Sequence, residues 1–259
     1  MNLSDIMILE KKENKIMANP ILNDNFGRSD ERVLSSAPMT INGTINKTFL
    51  LFVCAIIPAY YTWSQFLAGF MDKAMMLTTI GAIVGFVVAL IVSFTRNKVF
   101  IPVYAVCEGL FLGGVSAMFE KQYPGIAVQA VAGTFAAMFS MLALYRLNLI
   151  KCTDKFRSVI FTATVSIAVL YLMQIIASFF HYSIPGIFAS GMVGIGFSVL
   201  VVAVAALNLI LDFDFIERGA QNMIPKDYEW YGAFGLMVTL VWLYIEILKL
   251  VAKLRDNNN

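Results

Sequence analysis

Apolar residues dominate long stretches of the chain, and polar positions cluster in the short gaps between them. Seven runs fall at 48–70, 74–94, 99–119, 126–147, 158–180, 188–211 and 231–254. Each has the roughly 20 residues that carry a helix across about 30 Å of hydrocarbon. They are too long and too continuous for barrel strands of about ten alternating residues. Met71-Asp72-Lys73 and the stretch from Thr95 to Lys98 are polar turns, and Pro124-Gly125 and Pro185-Gly186 are turn dipeptides. Pro102 lies in the first turn of the third helix, where proline is tolerated. Pro58 lies inside the first helix and predicts a kink. The pattern predicts an all-α integral membrane protein with seven transmembrane helices. Residues 1–47 read as a flexible polar tail with Met1 or Met17 as the start, 48–254 as the membrane domain, and 255–259 as a C-terminal tail. Residues 1–15 lack the apolar core of a signal peptide.

Composition sharpens this reading. Of 259 residues, 59% are hydrophobic and 14% charged, and the mean hydropathy is +0.75. Soluble domains run at about 45–50% apolar and about 25% charged, so a soluble enzyme is excluded. The net charge of +2 gives no basis for nucleic-acid binding. The widely spaced Cys54, Cys107 and Cys152 form neither a disulfide framework nor a metal motif. His181 is the only histidine, which excludes a multi-histidine centre. Hydrolase and phosphate-loop motifs are absent, so no enzymatic activity and no cofactor are expected.

Loop charges set the orientation. One side receives Arg96, Lys98, Arg146, Lys151, Lys155, Arg157, Arg218 and Lys226, with Lys47 beside the first helix. The other receives Lys73 and Lys121, and the C-tail adds Lys249, Lys253 and Arg255. The richer side is expected in the cytoplasm of a cell membrane, with the N-terminus inside; the basic C-tail argues against this. Gly81 and Gly85, Gly109 and Gly113, Gly194 and Gly196 with Ser190 and Gly191, and Gly232 and Gly235 mark close-packed, inward faces.

Charges inside a span usually face a cavity or a partner. Glu108, Asp212, Asp214, Glu217 and Glu246 are the candidates. At about 1.5 Å per residue, Glu108 falls about 14 Å in and Glu246 about 22 Å in, while Asp212 falls at the mouth of the sixth helix. Stepping back from Asp212 gives Asn208, Ala205, Val201, Ser198 and Gly194, a small and polar face. The same walk from Asp214 meets Ile210, Leu207, Ala203 and Leu200. Asp212 is thus expected to face the pore and Asp214 an interface. Asp212, Asp214 and Glu217 either line the bundle or open a solvated loop, and Glu246 either lines a route or pairs with Lys249. Asn208 and Gln174 are candidate interhelical hydrogen-bond partners.

Three stretches, NLILDFDFIERG at 208–219, PKDYEWYGAFGL at 225–236 and TLVWLYIEIL at 239–248, resemble the Bax inhibitor-1/YccA-like family, in particular its bacterial branch. MTINGTINKT at 39–48 and EGLFLG at 108–113 agree with it. The resemblance covers about residues 17–255. It implies a seven-helix fold with the last helix enclosed by the others, and a pH-sensitive calcium leak. In some bacterial relatives it implies interaction with a membrane-bound AAA protease. It also implies an aspartate pair, one member ending the sixth helix and one in the seventh, whose protonation gates the pore. Asp212 matches the first. The second falls near Val238, Thr239 or Trp242, none of them acidic.

The expected function is therefore conduction or sensing of Ca2+ or H+ across the bilayer. Asp212, Glu108, Glu246 and Asp214 would form an ion pathway, supported by Asn208 and Glu217. Asp212 is the candidate Ca2+ ligand, since a hard cation wants charged oxygen, and Ca2+ enters only as the transported ion. The alternative is a non-conducting regulator that binds a membrane protease or another membrane complex. A transporter is disfavoured by the lack of inverted repeats and broken helices.

Overall fold

The computed structural model describes residues 37–180 and 186–258. Seven helices form there: α1 (Ile41–Leu67), α2 (Met71–Thr95), α3 (Phe100–Gln122), α4 (Ile126–Arg146), α5 (Asp154–Phe179), α6 (Met192–Gln221) and α7 (Tyr228–Asn258). All seven are long and apolar enough to cross a membrane. Residues 1–36, His181 and Pro185, on which several sequence readings fall, lie outside the described residues.

Of the boundaries that differ from the hydropathy pattern, three bear on the site, each because polar residues are helical. α1 begins at Ile41 rather than 48, so residues 41–47 belong to the bundle and not to a tail. Its cap is Thr40, in extended conformation, whose hydroxyl accepts the Gly43 N–H at 2.9 Å. The segment before the cap is tied down as well. Met39 N–H donates to Ile224 O at 2.7 Å, Lys226 N–H donates to Ala37 O at 2.9 Å, and Pro38 bridges Pro225. α6 continues ten residues past Leu211, to Gln221, so Asp212, Asp214 and Glu217 are helical and do not open a loop. α7 runs through Asn258, leaving no separate tail at 255.

α7 is the central helix. It packs on α1, α3, α4 and α6 and buries Ala233, Met237, Leu240, Leu243 and Leu248. The outer helices expose large apolar side chains such as Phe49, Ile83, Phe139 and Leu172, as a lipid-facing surface should. Close approaches rest on glycine. A Cβ on Gly113 would collide with the Ala59 carbonyl, and one on Gly109 with the Ala55 carbonyl and the Pro58 ring, so α1 and α3 touch backbone to backbone. Gly81 gives α2 the same access to α3. Gly191 and Gly196 depart from the inward expectation: each is exposed, with open space where a Cβ would lie. Ser190 and Gly191 precede α6, which starts only at Met192.

Helix α5 touches only α6 among the helix backbones described. Its seam follows a heptad: Arg157, Thr164 and Tyr171 at every seventh position, with buried Ile160 and Ile167 between them. Each polar member has a partner. Arg157 donates to Asp214 at 2.9 Å, Thr164 accepts from Asn208 at 2.8 Å, and Tyr171 donates to Glu246 at 2.8 Å.

Candidate functional site

Continuation of α6 to Gln221 changes the depth of Asp212. The residue lies nine positions before that helix end, about 14 Å along the axis, rather than at a mouth. Across from it on α7 stand Gly235, where a Cβ would meet Asp212 Oδ1 at 3.3 Å, and Thr239, whose side chain is turned to the carboxyl. Gly235 is small so that α6 and α7 can bring this carboxyl between them. The other oxygen, Oδ2, is inaccessible to solvent and has no hydrogen-bond partner in the protein. The face below it is buried as the helical phase requires, through Ala205, Val201, Ser198 and Gly194.

Glu108 lies about 12 Å into α3, at a depth similar to that of Asp212. Its carboxyl faces Gly85 of α2, 3.6 Å from where a Cβ would sit, and the Tyr104 hydroxyl is turned to it. Glu108 Oε2 is likewise inaccessible and unpartnered. These are the only two such side-chain atoms among the described residues. Buried polar atoms are nearly always paired, so each exception needs a proton, a water or an ion to account for it. The two carboxyls face different helices, Glu108 towards Gly85 of α2 and Asp212 towards Gly235 of α7, and the backbones of α3 and α6 do not meet among the described residues.

The remaining acids are engaged. Asp214 is buried and holds both Arg157 and Arg218 at 2.9 Å, an α5–α6 tie at an interface. Glu217 accepts from the Tyr145 hydroxyl at 2.5 Å. Glu246, 1% exposed, pairs with Lys249 at 2.9 Å and accepts from Tyr171. Lys253 also turns inward, onto Ser198 Oγ at 2.9 Å and Gly194 O at 3.1 Å. Lys249 and Lys253 are therefore bundle residues rather than free tail charges. Among the described residues no three metal-ligating side chains converge. A calcium ion takes 6–8 oxygens, more than the Asp212 carboxyl and the Thr239 hydroxyl supply between them.

A second polar cluster escaped the sequence reading. Glu229, at the start of α7, is fully buried and accepts from Thr40 N–H at 3.0 Å and Thr40 Oγ1 at 2.9 Å, and pairs with Lys47. Gly43 leaves the space: a Cβ there would strike the Glu229 carboxyl. The Lys47 ammonium also lies 5.5 Å from the Trp230 ring centre. This cluster joins the starts of α1 and α7 and so fixes the position of the helix that faces Asp212. Two of the family-like stretches, 39–48 and 225–236, meet there. The available signal was Thr40 three residues ahead of Gly43 at the edge of an apolar run.

No curated protein matches the chain. The family model described as Bax inhibitor 1 like matches residues 19–256. That span takes in the enclosed α7 and both buried unpartnered carboxyls, and the chain, a multi-pass membrane protein, belongs to the Bax inhibitor 1 like family.

Proposed function

We propose that this protein passes calcium across a cell membrane, its N-terminus in the cytoplasm, with Asp212 as the carboxylate that attracts the ion. One observation carries the reading: Asp212 Oδ2 is buried between the central helix and α6 with no partner of its own. A charge in such a place attracts a cation or takes a proton. Glu108 carries the other unpartnered oxygen, on the α2–α3 side. Glu246 has a structural part, since Lys249 and Tyr171 already satisfy it.

The resemblance implies a second aspartate near Val238, Thr239 or Trp242, and of these Thr239 is the one whose side chain is turned to Asp212. A two-carboxyl latch is replaced by one carboxyl facing one hydroxyl. Protonation of Asp212 then removes the charge that draws calcium, so flux falls as pH falls, with a one-proton slope. Calcium uptake by proteoliposomes over a range of pH tests this. Thr239→Asp rebuilds a pair and is expected to change the slope from one proton to two. A wild-type flux that is independent of pH, or a two-proton slope without Thr239→Asp, would contradict the reading.

A further inference from the structure

α1 and α4 flank α6 and α7, and their backbones do not meet among the described residues. The gap is an apolar crevice of about 380 Å³, walled by Ile45 and Phe49 on one side and Met138 and Leu142 on the other, with Phe213 and Leu236 as its floor. At the end of the bundle where α1 begins, it meets a polar cavity of about 270 Å³, lined by Lys151, Arg218 and Asp214. Tyr145, Arg146 and Glu217 line both.

The charges in the polar cavity are unequal in what they have left to bind. Asp214 is taken by Arg157 and Arg218, and Arg218 also donates to Cys152 O. Glu217 is taken by Tyr145 and lies near Gln221. Arg146 and Lys151 are exposed and make no ion pair among the described residues. They are free cations at the rim of a polar cavity that continues into an apolar slot open to hydrocarbon.

We propose that this composite cleft binds an anionic phospholipid, with one acyl chain in the crevice between α1 and α4 and the headgroup phosphate on Arg146 and Lys151. A soluble anion would use only the polar half. A zwitterionic lipid offers the same phosphate but brings its own ammonium, which offsets that charge beside the two cations. Basic pockets between membrane helices recognise lipid phosphates on these terms, and an arginine fork suits a phosphate oxygen pair. The floor of the crevice is α6 and α7, so an acyl chain there supports the two helices that hold Asp212. The proposal stands whether or not the protein conducts.

Native mass spectrometry of the purified full chain, titrated with phosphatidylglycerol or phosphatidylcholine, tests it. The wild type should prefer phosphatidylglycerol by roughly thirtyfold, the effect of two basic residues at an anionic headgroup. Arg146→Gln with Lys151→Gln should abolish the preference. Leu142→Trp, which fills the slot and keeps both charges, should weaken retention of either lipid, and Ile45→Trp repeats that test from the opposite wall. Equal affinity of the wild type for the two lipids overturns the proposal. So does a preference that survives loss of both charges, or unchanged retention in both tryptophan variants. Inorganic phosphate that competes as well as phosphatidylglycerol would make this a soluble-anion site and overturn it too.

Discussion

Replacing Glu229 by alanine should be among the most destabilising single changes at the basic end of the bundle. The side chain is 0% exposed and receives two hydrogen bonds from Thr40 and an ion pair from Lys47. Bonds to a charged acceptor contribute about 1.5–3 kcal/mol each. Their sum overstates the loss, because the Lys47 side chain is 17% exposed and regains some hydration. Breaking a buried pair from one side typically costs about 3–5 kcal/mol, and that is the expected range for Glu229→Ala. Glu229→Gln keeps an acceptor for Thr40 and loses only the charge, so about 2 kcal/mol is expected. A double-mutant cycle with Lys47→Met should give a coupling of about 1–3 kcal/mol, nearly independent of salt since the pair is sheltered. The assay is reversible unfolding in mixed micelles, followed by helix content. A loss below about 0.5 kcal/mol for Glu229→Ala, or no coupling with Lys47, would show that the α1–α7 junction is not held by this cluster.

Other consequences follow from the same packing. Gly113→Val should cost about 2 kcal/mol or more in the same assay, because its side chain would enter the Ala59 carbonyl; a neutral result would mean that α1 and α3 can separate freely. Asn208→Leu and Thr164→Val should couple by about 0.6–1.7 kcal/mol, the range for interhelical hydrogen bonds in membranes, and additivity would deny the α5–α6 seam. Burial, then the nearby Asp214 carboxylate, push the Cys152 thiol above its ordinary value. Its alkylation in the folded protein should therefore lag behind that of a free thiol at neutral pH and rise only under more alkaline conditions, and rapid labelling at pH 7 would refute that environment.

The seven helices were legible because crossing a bilayer demands length and apolarity, and both are local. Helical phase also separated the aspartates: the face below Asp212 is buried through Ser198 and Ala205, while Asp214 turns to Arg157 of α5. Hydropathy failed at the polar helix ends. Asn42, Asn46 and Lys47 look like a tail, yet their turn is capped by Thr40 and anchored on Glu229, far away in sequence. The turns after Leu211 look like a loop, yet Asp214 and Glu217 in them are paired across helices. Missing those turns placed Asp212 at a mouth instead of inside the bundle. Lys249 and Lys253 looked like tail charges; the pair of Lys249 with Glu246 is local to α7, but Ser198 becomes a neighbour of Lys253 only once α6 packs on α7. The gap between α1 and α4 had no signal at all, because each wall reads as an ordinary apolar span.

Calcium uptake by proteoliposomes holding wild-type protein, Asp212→Asn or Glu246→Gln, side by side at neutral pH, tests the central claim most directly. The wild type should load calcium well above protein-free liposomes. Asp212→Asn should load it about tenfold more slowly, the loss of about 1.4 kcal/mol of attraction, while remaining folded. Glu246→Gln, once folded, should conduct close to the wild-type rate because its carboxylate is already paired. Uptake by Asp212→Asn at the wild-type rate, or no uptake by the wild type, would contradict the account.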